Sequence, residues 1–274
     1  MGQMLRFYNI LGAAILLIAS PAVAAAPFTP LHFNGLYEVN LGSVRFAKVG
    51  IEVEQESDHY SIVMDIAVTG IIKLFTRHTS HTTVDGSGHH FSYPERAYES
   101  RYRIKKKRKY VHMVYDAGTV KSQTLEPPEN PAKRPPVSAD LKKGSYDPLS
   151  FILKMRQEMI EASKNGKTAF SVSVYDGRRL THANFSDVGK KTIRLDGKKT
   201  PVVFASVKRE LVAGFTASEL EDFNPSEPAL SIYFSDDERM MPLRLETGFW
   251  LGTLSATLVK ECRTGESCLL GLKE

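Results

Sequence analysis

Apolar and polar side chains alternate at every second position along much of the chain. Apolar residues recur from Tyr60 to Val68, from Phe170 to Val174 and from Leu254 to Leu258. A period of two places successive side chains on opposite faces of a β-strand, so these segments predict strands with one buried face. Because such segments recur through nearly the whole chain, the sequence predicts an all-β protein.

Turn signals indicate how these strands connect. Asp-Gly pairs occur at residues 85–86, 176–177 and 196–197, each between extended-looking segments. Asp-Gly accepts the positive backbone angles of a two-residue hairpin turn, and hairpins join antiparallel strands. The basic run at residues 105–109 lies between two further strand-like segments and predicts a fourth hairpin. An antiparallel meander is therefore favoured over a parallel sheet.

One segment follows a helical period instead. Asp147 is a suitable N-cap, Pro148 is tolerated at the first helical position, and Asn165-Gly166 ends the segment. The apolar residues between them recur at helical spacing: Leu149, Ile152, Leu153 and Ile160. We predict a helix over residues 148–163, with a strongly curved antiparallel sheet, spiral or open barrel-like, wrapped around it.

Two irregular stretches interrupt this pattern. Residues 125–146 contain five prolines, too many for a strand or a helix, and predict a long exposed loop. It is either a passive crossover between two halves of the sheet or a lid over a cavity. Residues 213–228 carry four acidic side chains, and we expect them to pair with basic surface elsewhere: Glu219, Glu221, Asp222 and Glu227.

The N-terminus has the features of a secretion signal. Arg6 precedes an apolar run at residues 10–18, Ser20 and Pro21 break any helix, and residues 22–24 match the small-x-small cleavage pattern. An uncleaved membrane anchor is the alternative, but the run is shorter than the ~20 residues that a spanning helix needs. We predict cleavage near Ala24, leaving residues 25–274 as a single curved β-sheet domain in the periplasm.

Export changes the interpretation of charge and cysteine content. The formal net charge is +5, and loss of Arg6 leaves a mildly basic mature chain. The anionic partners available outside the cytoplasm are lipid headgroups, lipopolysaccharide and wall polymers rather than nucleic acid. Cys262 and Cys268 are the only cysteines, and an oxidising compartment favours a disulfide between them. A redox role is the alternative, although five intervening residues differ from the C-x-x-C spacing.

Candidate chemistry is sparse. The densest histidine group is His78, His81, His89 and His90. Its surroundings predict a strand, in which positions three apart face opposite ways, so we predict no metal site. The sequence has no G-x-S-x-G elbow, phosphate loop or dinucleotide fingerprint, and we predict no catalytic residue and no cofactor.

Basic side chains near the predicted hairpin tips are the candidate ligand contacts. Seven of them are candidate contacts for an anionic ligand: Lys105, Lys106, Lys107, Arg108, Lys109, Arg178 and Arg179. The other interpretation, which we favour from the sequence alone, is that cations at turns keep the sheet soluble and prevent edge pairing.

Several motifs resemble one bacterial envelope family. These are the segment at residues 175–179, Asp147-Pro148-Leu149-Ser150, and the late segments at residues 239–245 and 252–258; residues 37–47 resemble that family's first hairpin. Together they resemble the family called domain of unknown function 3108. The resemblance implies an exported, β-rich protein without established catalytic residues.

These observations lead to a functional expectation. We expect a non-catalytic periplasmic protein that binds a lipid or another envelope component, with peripheral contact to a membrane. The alternative is a structural or interaction protein of an envelope complex, whose interior is filled by its own helix. A hydrolase with an unrecognised site is a third, weaker hypothesis.

Overall fold

The structure is a computed structural model that describes residues 30–70, 73, 78–87, 95–195, 197–227, 229–249 and 252–272. The predicted signal peptide, His89 and His90 lie outside these residues. No helix within the described ranges is long and apolar enough to cross a membrane.

Most of the described chain is β-strand, as the alternation predicts. The strands are Leu31–Leu41 (β1), Val44–Gln55 (β2), His59–Val68 (β3), His78–Ser87 (β4), Glu95–Ile104 (β5), Lys107–Asp116 (β6), Thr119–Glu126 (β7), Phe170–Tyr175 (β8), Leu180–Leu195 (β9), Lys198–Ala213 (β10), Leu230–Ser235 (β11), Pro242–Phe249 (β12) and Gly252–Glu261 (β13). The helices are Ala139–Lys142 (α1), Ser150–Asn165 (α2) and Ala217–Glu221 (α3).

All thirteen strands belong to one sheet, in the order β7-β6-β5-β4-β3-β2-β1-β13-β12-β11-β10-β9-β8. The first meander is β1 to β7 and the second is β8 to β13; every pairing along the sheet is antiparallel. Pairing of β1 with β13 joins the two meanders at the middle of the sheet. The prediction of an antiparallel meander is therefore confirmed.

All but one of the predicted hairpin connections are found in the structure. Lys105 and Lys106 form the two-residue connection between β5 and β6, and Lys105 has a φ of 56°. The expected connections also lie between β8 and β9 and between β9 and β10. The prediction at residues 85–86 is wrong, because Gly86 lies within β4, opposite Tyr60. A Cβ on Gly86 would lie 2.4 Å from the Tyr60 ring, so this glycine makes room for an aromatic side chain.

The sheet is strongly curved but not closed. Its two edge strands, β7 and β8, approach each other, and the Tyr175 hydroxyl donates to Gln123 Oε1 at 2.7 Å. Gln123 Nε2 donates in turn to the Gly177 carbonyl, also at 2.7 Å. No backbone ladder joins β7 to β8 in the described part of the chain. We call this place, where β7 meets the β8–β9 turn, the seam.

Helix α2 lies inside the curved sheet, as predicted, and begins and ends two residues later than expected. Asp147 Oδ1 accepts hydrogen bonds from the backbone N–H groups of Leu149 at 3.1 Å and Ser150 at 2.9 Å, which caps the helix start. Gly166, with a φ of 66°, ends the helix in the left-handed conformation. Leu153 belongs to the core of the first meander and Met159 to that of the second, so one helix fills both halves.

The irregular part of the proline-rich segment is shorter than predicted, because a strand and a short helix occupy parts of it. Strand β7 extends to Glu126, and α1 with its N-cap Ser138 occupies the later part of the segment. Residues 127–137, here called the proline loop, are fixed by a buried Val137 and by the Arg134 guanidinium, which donates to the Gly214 carbonyl. The loop therefore packs against both halves of the sheet.

Candidate anion-binding site

The β5–β6 hairpin extends beyond its neighbouring strand. Tyr110 pairs with Glu126, the last residue of β7, and Pro127 follows. Proline has no N–H group with which to continue the ladder. The first three residues of β6 therefore pair with β5 only, and a groove forms beside them.

This groove has a volume of about 830 Å³. We call it the basic groove and define it by its lining residues: Arg101, Tyr102, Lys107, Arg108, Lys109, Tyr110, Glu126 and Pro127. Four of the eight side chains are cationic and one is a carboxylate. Its positive charge is therefore a property of the groove and not of a single residue.

The cations of the basic groove differ in their partners. Arg101 forms an ion pair with Glu99, so its charge is balanced within the protein. In the part of the chain that the structure describes, no carboxylate pairs with Lys107, Arg108 or Lys109. These three cations are available to a ligand.

Two tyrosines give the basic groove an aromatic component. The Lys109 ammonium lies 5.8 Å from the Tyr102 ring centroid, and the Arg101 guanidinium lies 5.4 Å from that of Tyr110. Burial raises the pKa of both phenols, and for Tyr110 a hydrogen bond to Glu99 raises it further. Both hydroxyl groups therefore stay neutral at physiological pH.

The structure separates the seven predicted ligand contacts into three groups. Lys107, Arg108 and Lys109 line the basic groove. Lys105 and Lys106 form the exposed turn beyond it.

The third group, Arg178 and Arg179, lies in the β8–β9 turn. Arg179 Nη2 pairs with Asp176 Oδ2 at 2.7 Å, and its Nη1 lies 3.6 Å from Glu219 Oε1. Arg178 Nε pairs with Glu129, and Arg178 Nη1 donates to the Tyr102 hydroxyl at 3.3 Å. Only Arg178 therefore touches the basic groove, and only through Tyr102.

Arg101, Tyr102, Tyr110 and Glu126 were not predicted as site residues. The run of five basic residues signals the hairpin tip, but the groove depends on strand register. Tyr102 faces Lys109 across the β5–β6 ladder, and Glu126 faces Tyr110 across the β6–β7 ladder. The sequence does hold a signal for Tyr102: counting outward from a turn at residues 105–106 along both hairpin arms places Tyr102 opposite Lys109.

Among the described residues, the histidines do not come together as a group. His81 Nδ1 hydrogen-bonds Asp65 Oδ1 at 2.7 Å, whereas the His78 ring lies 6.4 Å from that of Tyr102. Within the described ranges, no group of three potential metal ligands is present.

Cys262 and Cys268 form a disulfide, in agreement with the prediction. Asn34 fixes the closed loop, because its carbonyl oxygens accept from the backbone N–H groups of both cysteines. Beyond the loop, Asp65 Oδ2 accepts from the backbone of Leu270 at 2.9 Å. The chain after β13 is thereby attached to β1 and β3; we call it the C-terminal clasp.

Comparison with known proteins assigns a family and a fold. Residues 36–259 match a family model described as "Protein of unknown function (DUF3108)". No curated protein matches the chain. A crystal structure of a β-barrel-like protein of domain of unknown function DUF1849 from Brucella abortus is similar, with a TM-score of 0.54 and 11% identity over 85% of this chain and 97% of that one. At this identity the similarity concerns the fold alone.

Proposed function

The chain belongs to the DUF3108 family, whose function is unknown, and we propose that it is an exported, non-catalytic protein that binds a phosphate-bearing component of the cell envelope. The proposed binding site is the basic groove. The proposed ligand class is the phosphate headgroup of an anionic lipid at a membrane surface.

One observation carries this proposal: Lys107, Arg108 and Lys109 line one groove and none is paired with a carboxylate among the described residues. Cations that are held together without counter-charges raise the local positive potential, and that potential attracts anions. Arginine and lysine are both suited to phosphate oxygens. The disulfide supports an oxidising compartment, in which lipid headgroups are available.

The interior of the fold supports headgroup binding over enclosure of acyl chains. Helix α2 places Leu153, Met155 and Met159 against the two halves of the sheet, and all three are buried. Protein side chains therefore occupy the space in which a lipid carrier would hold its cargo. Recognition at the surface needs no such space.

The helix-filled interior also favours the second candidate, an interaction protein of an envelope complex. In that case the basic groove would contact an acidic protein surface instead of phosphate. Binding to protein-free vesicles separates the two candidates.

The proposal is tested by cosedimentation of the purified protein with two kinds of vesicle, phosphatidylcholine alone and phosphatidylcholine mixed with phosphatidylglycerol. We expect binding to the anionic vesicles only, weakening as salt concentration rises. Replacing Lys107, Arg108 and Lys109 together by Gln should weaken binding by roughly 100-fold, since each cation near an anionic surface contributes about 1 kcal/mol.

A matched control removes three exposed lysines elsewhere: Lys164, Lys198 and Lys199. This triple Gln variant has the same net charge as the groove variant, and we expect it to bind nearly as well as the unmodified protein. Equal loss in both variants would show that general charge, and not the groove, attracts the vesicles. Export is tested separately by the N-terminal sequence of the protein recovered from the periplasm, which should begin near Ala25.

A further inference from the structure

A second, smaller cavity lies at the seam, beneath the proline loop. Its volume is about 190 Å³. Its walls combine apolar and aromatic side chains with cations; those that matter here are Pro131, Val137, Tyr175, Lys142 and Arg178. This cavity is distinct from the basic groove, with which it shares no lining residue.

Arg178 is almost fully buried, with 8% of its surface exposed. Its Nε donates to Glu129 and its Nη1 to the Tyr102 hydroxyl. Its Nη2 is buried and has no hydrogen-bond partner among the described residues. A buried charged donor without an acceptor is unfavourable, so this nitrogen has unused capacity to bind an anion.

Each of the three carboxylates near the cavity already forms an ion pair with an arginine. Glu129 pairs with Arg134 and Arg178. Glu219 pairs with Arg134 and Arg179, and Asp176 pairs with Arg179. These ion pairs, with Lys142 added, comprise four cations and three carboxylates, so one positive charge remains in the group; Arg179, Glu219 and Asp176 belong to it from beyond the cavity wall.

Lys142 is the cation left without a carboxylate in the described structure. It is half-buried, and its ammonium lies 5.1 Å from the Tyr175 ring centroid. Burial lowers the pKa of Lys142, with no opposing contribution from a carboxylate. An anion bound in the cavity would compensate the positive charge of Lys142.

We propose that this cavity binds a small organic monocarboxylate, with its carboxylate between Arg178 and Lys142 and its apolar part against Pro131 and Val137. The planar guanidinium group matches a carboxylate. The single excess positive charge is neutralised by a monovalent anion, whereas doubly charged phosphate would leave negative charge in a partly buried site. The apolar walls favour a ligand with a short hydrocarbon body over a bare ion.

The test is isothermal titration calorimetry of the purified protein with acetate, hexanoate, 1-hexanol and inorganic phosphate. We expect hexanoate to bind at least ~10-fold more tightly than acetate, because the added methylenes are buried against the apolar walls. Hexanol, which lacks the negative charge, and phosphate, which lacks the hydrocarbon chain, should both bind more weakly than hexanoate. Absence of hexanoate binding, or binding of phosphate as tight as that of hexanoate, would overturn the proposal.

Lys142→Met keeps the aliphatic stem and removes the charge, and it should weaken hexanoate binding by about 10-fold or more. Lys143→Met is the matched control, since Lys143 is adjacent, exposed and absent from the cavity wall. An equal loss in both variants would contradict the assignment. The groove variant with Gln at 107, 108 and 109 should still bind hexanoate, so this site and the proposed function can fail independently.

Discussion

The two halves of the sheet hold the same helix by different means. At the start of α2 the first meander adds buried polar and charged groups to its apolar packing. The second meander contacts the later turns chiefly through apolar side chains, with one buried exception, Arg156, which donates to the Arg239 carbonyl. By these contacts we call the first meander the polar half and the second the apolar half. Hydrogen bonds and ion pairs are directional, while apolar packing tolerates small shifts. The first half therefore fixes where the helix begins, and the second half mainly contributes buried area.

The polar half centres on Arg96 and Asp147, whose side chains are 1% and 0% exposed. Arg96 Nε donates to Asp147 Oδ2 at 2.8 Å, and its Nη2 donates to the Ser145 carbonyl. The guanidinium also lies 3.6 Å from the Tyr115 ring centroid. Because Asp147 also caps α2, a single carboxylate connects strand β5 to the helix start.

The apolar half packs Met155 and Met159 against a cluster of aromatic rings. Phe170 and Phe185 stack with centroids 4.3 Å apart, and Phe234 is fully buried beside them. Methionine is flexible and fills irregular spaces. This half should therefore tolerate a change of shape better than the polar half tolerates a change of charge.

Asp147→Ala should destabilise the protein most. It leaves the Arg96 charge buried without its partner and removes the helix cap, so we expect a loss of about 3 to 5 kcal/mol in the free energy of unfolding. Urea unfolding followed by circular dichroism measures the change.

Asp147→Asn separates the loss of charge from the loss of the helix cap. Asparagine keeps a capping oxygen but removes the negative charge, so its loss should be smaller than that of Asp147→Ala yet still exceed about 1 kcal/mol. If Asp147→Ala lowered stability by less than ~1 kcal/mol, the first half would not hold the helix through charge and would not differ from the second in this respect.

Met159→Ala tests the apolar half and should have the next largest effect. Met159 is fully buried, and truncation leaves a cavity that costs about 2 to 5 kcal/mol. Met159→Leu, which nearly conserves volume, should cost less than about 1.5 kcal/mol by the same measurement. A Met159→Leu variant as unstable as Met159→Ala would mean that packing here is as specific as the polar contacts in the other half.

The sequence predicts local features of both halves but not how the two halves pair with each other. Alternation identifies strands because one face of each is buried, and Asp147 marks the helix start because capping is a local interaction. Pairing of β1 with β13 is not local, since Leu36 and Lys260 lie far apart in the chain. Asp85-Gly86 misleads for a related reason: Gly86 is required by Tyr60 across the ladder and not by a turn.

In the candidate site, too, local features are visible in the sequence and contacts between distant residues are not. A run of basic residues is visible in the sequence, but the groove also needs Glu126 to end β7 opposite Tyr110. The expected pairing of the acidic stretch at residues 213–228 is found at Glu219, whereas its partner Arg134 could not be chosen in advance. The Arg96–Asp147 pair was missed because it depends on the position of α2 inside the sheet.

Cys262→Ser should have a smaller effect than either interior change. The C-terminal clasp is attached to strands β1 and β3, and the disulfide closes a short loop whose removal costs about 2 kcal/mol in the chain-entropy model. Thermal unfolding of the variant should match that of the reduced unmodified protein. Loss of the whole fold in the variant would show that the entire sheet, and not only the end of the chain, depends on the disulfide.

The weakest effect concerns the ion pair between the proline loop and α3, which lies beside the seam. Glu219 accepts two hydrogen bonds from Arg134, at 2.8 and 2.9 Å, and chiefly this contact lowers the pKa of its carboxyl group to about 2. A carboxyl group whose pKa is lowered by folding stabilises the protein above its unfolded pKa, near 4.5. That contribution is lost as pH falls from about 4.5 towards 2.

Glu219→Gln should therefore reduce stability at pH 6 by less than about 1 kcal/mol, because the side chain is partly exposed and solvent screens the pair. The difference from the unmodified protein should shrink between pH 4.5 and 2, as measured by urea unfolding across that range. Glu221→Gln, an exposed neighbour on α3 with the same change of charge, should show no such convergence. If the loss of stability in Glu219→Gln stayed constant down to pH 2, shape and hydrogen bonding, and not charge, would hold the contact between the proline loop and α3.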